Sequence, residues 1–297
     1  MFTKLSDTSQ ATIFSVLVLV MATGVALLIR ILEIAPNLGM WSLWSCTPTV
    51  AALLMLLVVT REGYSREGWK VLGLHRLGLS VWWIAFGLTL LITVAASAVV
   101  WATPLASFTM PVGGILNALI NFLMQVVILA LTFALAEEIG IRGYLLPKLL
   151  PLGRRRALFL SGLVWATWHM PLILLTPVFP VGNKLISLPL FYGTIVAASF
   201  FYGYLRIYTG SVWPTSIAHA VHNAAWGVLG AFTATSSAVL VNKYLVGDYG
   251  LLILVGAVIG AVLVGRLLRS GMDQAQEAGA VVPEVPPTPT GATRVPR

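Results

Sequence analysis

The sequence predicts an all-α, polytopic membrane protein with eight transmembrane helices around an interior polar cavity. Three observations carry this expectation. Charged residues are only 9% of the 297, whereas a soluble domain carries about 25%. Mean hydropathy is +0.92, and apolar stretches of about 20 residues, the length that crosses a bilayer, recur along almost the whole chain. The few ionisable groups inside those stretches fall on three separate segments, which is how a helical bundle assembles an interior site.

The elements follow in order. A polar arm, 1–10, leads to a first helix over about Ala11 to Ile31. Its apolar run is too long for a cleaved signal peptide and lacks a small-residue cleavage site. Glu33-Ile34-Ala35-Pro36-Asn37 makes a turn. The second helix, about Met40 to Thr60, opens with Trp41 and Trp44 as interface anchors, and Pro48 kinks or restarts it. Arg61 to Arg76 is a polar, amphipathic surface segment. The third helix covers about Leu79 to Thr103, with Trp82 and Trp83 at its entrance. The fourth starts near Ile115 and runs through Glu137-Glu138 to Leu146-Pro147. A basic loop, Lys148 and Arg154-Arg155-Arg156, precedes the fifth, about Ala157 to Leu175, which carries Trp165 and His169. The sixth covers about Leu188 to Ile207. The seventh follows Gly210-Ser211-Val212-Trp213-Pro214 and holds His219, His222 and Asn223, and the eighth spans about Tyr249 to Leu268. Beyond Gly271 the composition turns to Gln, Glu, Pro and Thr. The expected division is therefore a membrane domain over 1–270 and a disordered cytoplasmic tail over 271–297. No internal repeat is visible.

A net charge of +8 in a polytopic membrane protein sets orientation rather than binding nucleic acid, so no nucleic-acid partner is expected. With the N-terminus inside, fifteen of the 18 Lys and Arg residues fall on cytoplasmic segments; Arg30, Lys184 and Lys243 are the exceptions. Both termini of a multi-pass cell-membrane protein are then cytoplasmic. The single cysteine, Cys46, excludes an internal disulfide and a cysteine metal cluster and reads as a small apolar residue in a helix.

Glu137, Glu138, Arg142, His169, His219, His222 and Asn223 remain inside apolar segments. A charge near the bilayer centre costs about 2.5 to 3.5 kcal/mol on insertion scales, so such groups face a protein interior and usually act. Glu138 and Arg142 are four apart and pair on one helix face. Glu137 lies about 100° around the helix and lacks that cation. A partly desolvated carboxylate without a cation acts as a base, which assigns Glu137 as the base and Glu138 with Arg142 as its brace. His219 and Asn223 are also four apart and offer two donors for a developing oxyanion. His169 can share a water with Glu137. His222 projects about 60° from His219 and reads as a structural contact to another neighbour.

Glu137-Glu138-Ile139-Gly140-Ile141-Arg142-Gly143, Trp165-Ala166-Thr167-Trp168-His169 and His219-Ala220-Val221-His222-Asn223 together resemble the CAAX-protease and bacteriocin-processing (Abi) family of intramembrane proteases, which includes the Ras-converting prenyl-protein endopeptidases. The likeness covers about residues 128 to 226. It implies a peptidase for a hydrophobic or prenylated peptide in the lipid bilayer. By that likeness Glu137 and His169 activate a water, and His219 and Asn223 form the oxyanion hole. Trp165 stands where the family usually has Phe, a change expected to bear on substrate shape. A zinc site would use Glu137, His169 and His219. The absence of His-Glu-x-x-His, and an Asn in the set, favour metal-independent water activation with no cofactor. The competing reading is a non-catalytic bacteriocin-immunity or scaffold protein using the same cluster. A proton-coupled transporter would show repeated halves, which are not seen.

Overall fold

A computed structural model describes residues 5–178 and 182–277, the side chains of 275 and 276 apart. Its described residues are all-α but for a two-residue antiparallel ribbon, β1 (Ser107–Phe108) against β2 (Thr233–Ala234). Helix α1 (Asp7–Ile31) is started by Ser6, whose side chain accepts from the Ser9 N–H. Ala11, Phe14, Val18, Ala22, Ala26 and Ile29 form its buried stripe at three- and four-residue spacing, while Val16 and Val20 are exposed. An apolar residue on the outside of such a helix is a lipid contact rather than a fault.

Pro48 acts as a restart, not a kink. Helix α2 (Leu38–Ser45) ends at Cys46, and α3 (Thr47–Leu54) begins with Pro48 in its first turn, where a missing N–H costs nothing. Cys46 lies at this joint and is exposed, not inside a helix as expected. A π-helical turn over Met55–Val59 extends α3. The surface segment contains the short α4 (Arg66–Lys70), and α5 (Trp82–Trp101) follows. The buried Thr89, Thr93 and Ser97 return their hydroxyls to carbonyls four residues earlier, which satisfies them without a partner helix.

The fourth span was expected as one continuous helix. It is instead α6 (Gly114–Leu131), a break at Thr132, α7 (Phe133–Glu138), a π-helical stretch over Ile139–Leu145 and α8 (Leu146–Leu149). Next come α9 (Arg154–Leu175), which takes in the basic run expected as a loop, α10 (Lys184–Thr209), α11 (Trp213–Ala231) and α12 (Leu251–Leu267). Helix α13 (Arg269–Glu277) continues past Gly271, holding Met272 buried and pairing Asp273 with Arg154. The chain therefore stays helical through the first residues of the expected tail; from 278 onward that tail lies outside the described residues.

Helix α10 packs on α9 and α12, α11 packs on α5 and α6, and α1 packs on α9 and α3. Six helical stretches are long and apolar enough to cross a membrane: Asp7–Ile31, Leu38–Val59, Leu79–Trp101, Gly114–Leu152, Arg154–Leu175 and Lys184–Thr209. α12 is apolar but has 17 residues. α11 is not among the six; its Thr215, Ser216, His219, His222 and Asn223 make it polar, and its burial between α5, α6 and α10 gives those groups a protein environment.

Candidate active site

The site is built from the interruption in the fourth span. A π-helical turn admits an extra residue per turn and is found mostly at functional positions. Here it follows Glu138 directly. Close packing requires the glycine in this turn: a Cβ on Gly140 would lie 2.4 Å from the Pro48 Cβ and 2.5 Å from its carbonyl oxygen. Thr49 Oγ1 donates to the Ala136 carbonyl at 2.5 Å, so α3 is pinned against the acidic pair on two counts.

Widening a helix leaves carbonyls without their usual partners, and in a membrane each must be satisfied inside the protein. Arg206 does this. Its Nε donates to the Arg142 carbonyl at 3.1 Å and its Nη2 to the Val71 carbonyl at 2.6 Å. Arg206 was expected at the cytoplasmic end of the sixth helix, yet it is 1% exposed. It crosses over Gly73, where a Cβ would lie 2.9 Å from the Arg206 Cζ and 2.6 Å from the Gly210 carbonyl oxygen, so only glycine, at a φ of 71°, leaves the guanidinium room. Lys148 is likewise buried, paired with Asp7 at 3.1 Å and Glu62 at 3.4 Å.

The two adjacent carboxylates meet different fates. Glu138 is fully enclosed. Its Oε1 receives Arg142 Nη1 at 2.9 Å and lies 3.1 Å from His219 Nδ1. Arg142 stacks over Trp165 at 4.0 Å and Tyr202 at 5.3 Å, contacts that add about 0.5 to 2 kcal/mol each. Among the described residues, Glu138 Oε2 and Arg142 Nε and Nη2 have no hydrogen-bond partner. Glu137 has no cation of its own, as its position a third of a turn away requires. It is not without partners, however: Trp165 Nε1 donates to Oε2 at 3.0 Å and Ser45 Oγ to Oε1 at 3.4 Å.

His169 Nδ1 lies 2.9 Å from the Trp165 carbonyl. A carbonyl only accepts, so Nδ1 carries the proton and Nε2 is a free acceptor. Trp168 and Phe191 hold the ring edge-on at 4.5 and 5.1 Å. For His219 the same argument puts a proton on Nδ1 toward Glu138; Nε2 is then a donor only in the imidazolium. His222 bonds elsewhere, to Asp248, with Nε2 2.7 Å from Oδ1.

A cavity of about 490 Å³ is lined by Glu137, Trp165, His169, His219, Asn223 and Asp248, among others. Glu138 and Arg142 lie behind its wall. The structure thus brings together the four residues expected to react and keeps the expected brace out of the cavity. Trp165 contributes more than shape: it donates to Glu137, supports Arg142 and is 3% exposed. Sequence reasoning missed Ser45, Arg206 and Asp248. Ser45, a hydroxyl after Trp44 in an apolar run, was the readable signal; Arg206 and Asp248 carried none, because one sits at an expected cytoplasmic helix end and the other on an expected loop.

A metal would need three converging ligands. Among the described residues, no group of three or more His, Cys, Asp or Glu side chains is spaced to hold one. Both histidines of the expected set engage Nδ1 with protein oxygens, an arrangement that leaves Nε2 of each open to the cavity. As placed, these side chains do not converge on one point, and no step is derived through a metal.

Residues 118–225 match a family model, Type II CAAX prenyl endopeptidase Rce1-like. Over this stretch, about a third of the chain, the sequence is similar to that family. The likeness read from the three motifs is thereby matched, and every residue expected to react lies inside it. The family is one of membrane-embedded proteases, and the apolar helices are those of a multi-pass membrane protein. No curated protein and no solved structure matches the chain.

Proposed function

We propose that the chain is an intramembrane endopeptidase that hydrolyses a peptide bond in a prenylated or otherwise hydrophobic peptide. The observation that carries this reading is that Glu137, His169, His219 and Asn223, which come from three helices, line one cavity within the Rce1-like stretch. Glu137 and the free Nε2 of His169 deprotonate a water that attacks the scissile carbonyl. His219 and Asn223 donate to the oxyanion as the tetrahedral intermediate forms. The proton taken from water passes to the leaving amine as the C–N bond breaks. Glu138 and Arg142 support His219 and Trp165 from behind.

In this reading all eight expected spans cross the bilayer. α11 does so inside the bundle and the short α12 at its side, over a membrane domain of 1–270 with a cytoplasmic tail. Both termini are cytoplasmic, and the cavity is filled with water and open to that side. Purified protein in liposomes should cleave a fluorogenic prenylated peptide, and a chelator should leave the rate unchanged. Absence of cleavage across hydrophobic and prenylated peptides would overturn the reading, and inhibition by chelator would overturn the metal-independent mechanism.

A further inference from the structure

The stretch between α11 and α12 does not stay at the end of the bundle. His222 lies midway along the 19-residue α11, and its Nε2 meets both the Asp248 carboxylate at 2.7 Å and the Asp248 carbonyl at 3.1 Å. The loop after the π-helical turn Leu240–Leu245 therefore dips to the middle of a membrane helix. Non-helical backbone is tolerated at that depth only when buried in protein or lining a wet cavity. Asp248 does line the cavity, with 31% of its side chain exposed against 14% for His222.

Its chemistry there is unused by the hydrolytic mechanism. Oδ1 is taken by His222, while Oδ2 has no partner among the described residues. The cavity lining holds two carboxylates, Glu137 and Asp248, and no Lys or Arg. Lys243 lines a neighbouring recess together with Asp248 but makes no ion pair with it among the described residues. The adjoining Tyr249 ring packs on Phe191 at 5.4 Å, and Phe191 packs on His169 at 5.1 Å. Asp248 is thus close to the reacting groups without being among them. An extended peptide advances about 3.3 to 3.6 Å per residue, so a peptide held at the reacting groups runs along the same cavity wall that Asp248 lines.

We propose that Asp248, oriented by His222, is a specificity residue that receives a cationic side chain of the substrate peptide. The proposal rests on the endopeptidase reading, and it lies outside the Rce1-like stretch. A carboxylate with one oxygen spare inside a confined cavity is an acceptor for an ammonium or guanidinium, and it repels a carboxylate in the same position.

The test uses full-length protein in liposomes and hydrophobic peptides that differ only by Lys or norleucine at each of four positions on either side of the cleaved bond. At one position wild type should prefer Lys by about tenfold or more in kcat/KM. Asp248→Asn should bring that ratio close to one, Asp248→Glu should retain it, and Asp248→Lys should favour Glu over Lys. A ratio near one at every position in wild type, or a preference for Lys that survives Asp248→Asn, would overturn the proposal. A purely structural His222–Asp248 pair would lower both peptides' rates together and leave the ratio unmoved. Equilibrium binding of the same peptides to Glu137→Gln protein separates the two readings. Selective binding of the Lys peptide without hydrolysis by wild type sinks the peptidase and keeps this site; hydrolysis without selectivity does the reverse.

Discussion

Glu137 and Glu138 are neighbours in sequence and opposites in environment. Glu138 has no exposed surface, and a guanidinium and an imidazole share one of its oxygens. Glu137 opens into the cavity and takes only neutral donors, an indole N–H and a hydroxyl. The same chemical group is used once to hold the bundle together and, in the proposed function, once to react. What separates the two is a third of a helical turn, combined with a cation four residues beyond one of them and not the other. A pair of adjacent acids in a membrane helix is therefore better understood as two sites back to back than as one acidic patch.

Breaking the closed side should cost stability first. Arg142→Met keeps the stem and removes the charge, leaving Glu138 with His219 alone; loss of one member of a buried pair costs about 3 to 5 kcal/mol. A large drop in thermal unfolding temperature in detergent checks it. On the open side, Asn223→Ala should lower kcat by about a hundred- to a thousandfold, the range for one oxyanion donor, with unfolding temperature and KM little changed. Gly140→Ala tests the contact that places both carboxylates: a methyl 2.4 Å from Pro48 forces overpacking worth about 1 to 3 kcal/mol, visible as a lower unfolding temperature. The smallest effect should come from Trp165→Phe. It loses the N–H to Glu137 and weakens the stack under Arg142, about 1 kcal/mol or less in stability, and it tells by a fall in kcat whether that hydrogen bond orients the base.

Much of this was legible in the sequence. The apolar runs and sparse charge predicted an all-α membrane protein, and helical spacing predicted the Glu138–Arg142 pair found at 2.9 Å. The interruptions were not legible. The π-helical stretch from Ile139 depends on Pro48 and Arg206, which are distant in sequence and come from other helices. Hydropathy also sorts residues by neighbours along the chain, so Lys148 and Asp248, each beside a turn residue, were assigned to loops, and Arg206 to the cytoplasmic end of a helix. Burial by tertiary packing overrides that assignment. Conversely, α11 is polar enough to fall outside the six membrane-length apolar stretches, because the groups that make it chemically interesting also lower its hydropathy. Its place between α5 and α6 is a fact of packing that no window along the chain contains.

The division of labour between the two carboxylates is tested most directly by one paired measurement, Glu137→Gln against Glu138→Gln, with peptide hydrolysis and thermal unfolding followed on the same preparations. Glu137→Gln should lose about a hundred- to ten-thousandfold in kcat and unfold close to the wild-type temperature. Glu138→Gln should unfold far earlier, with Arg142 left as an uncompensated buried charge. Hydrolysis by Glu137→Gln at the wild-type rate, or equal losses of stability in the two variants, would contradict it.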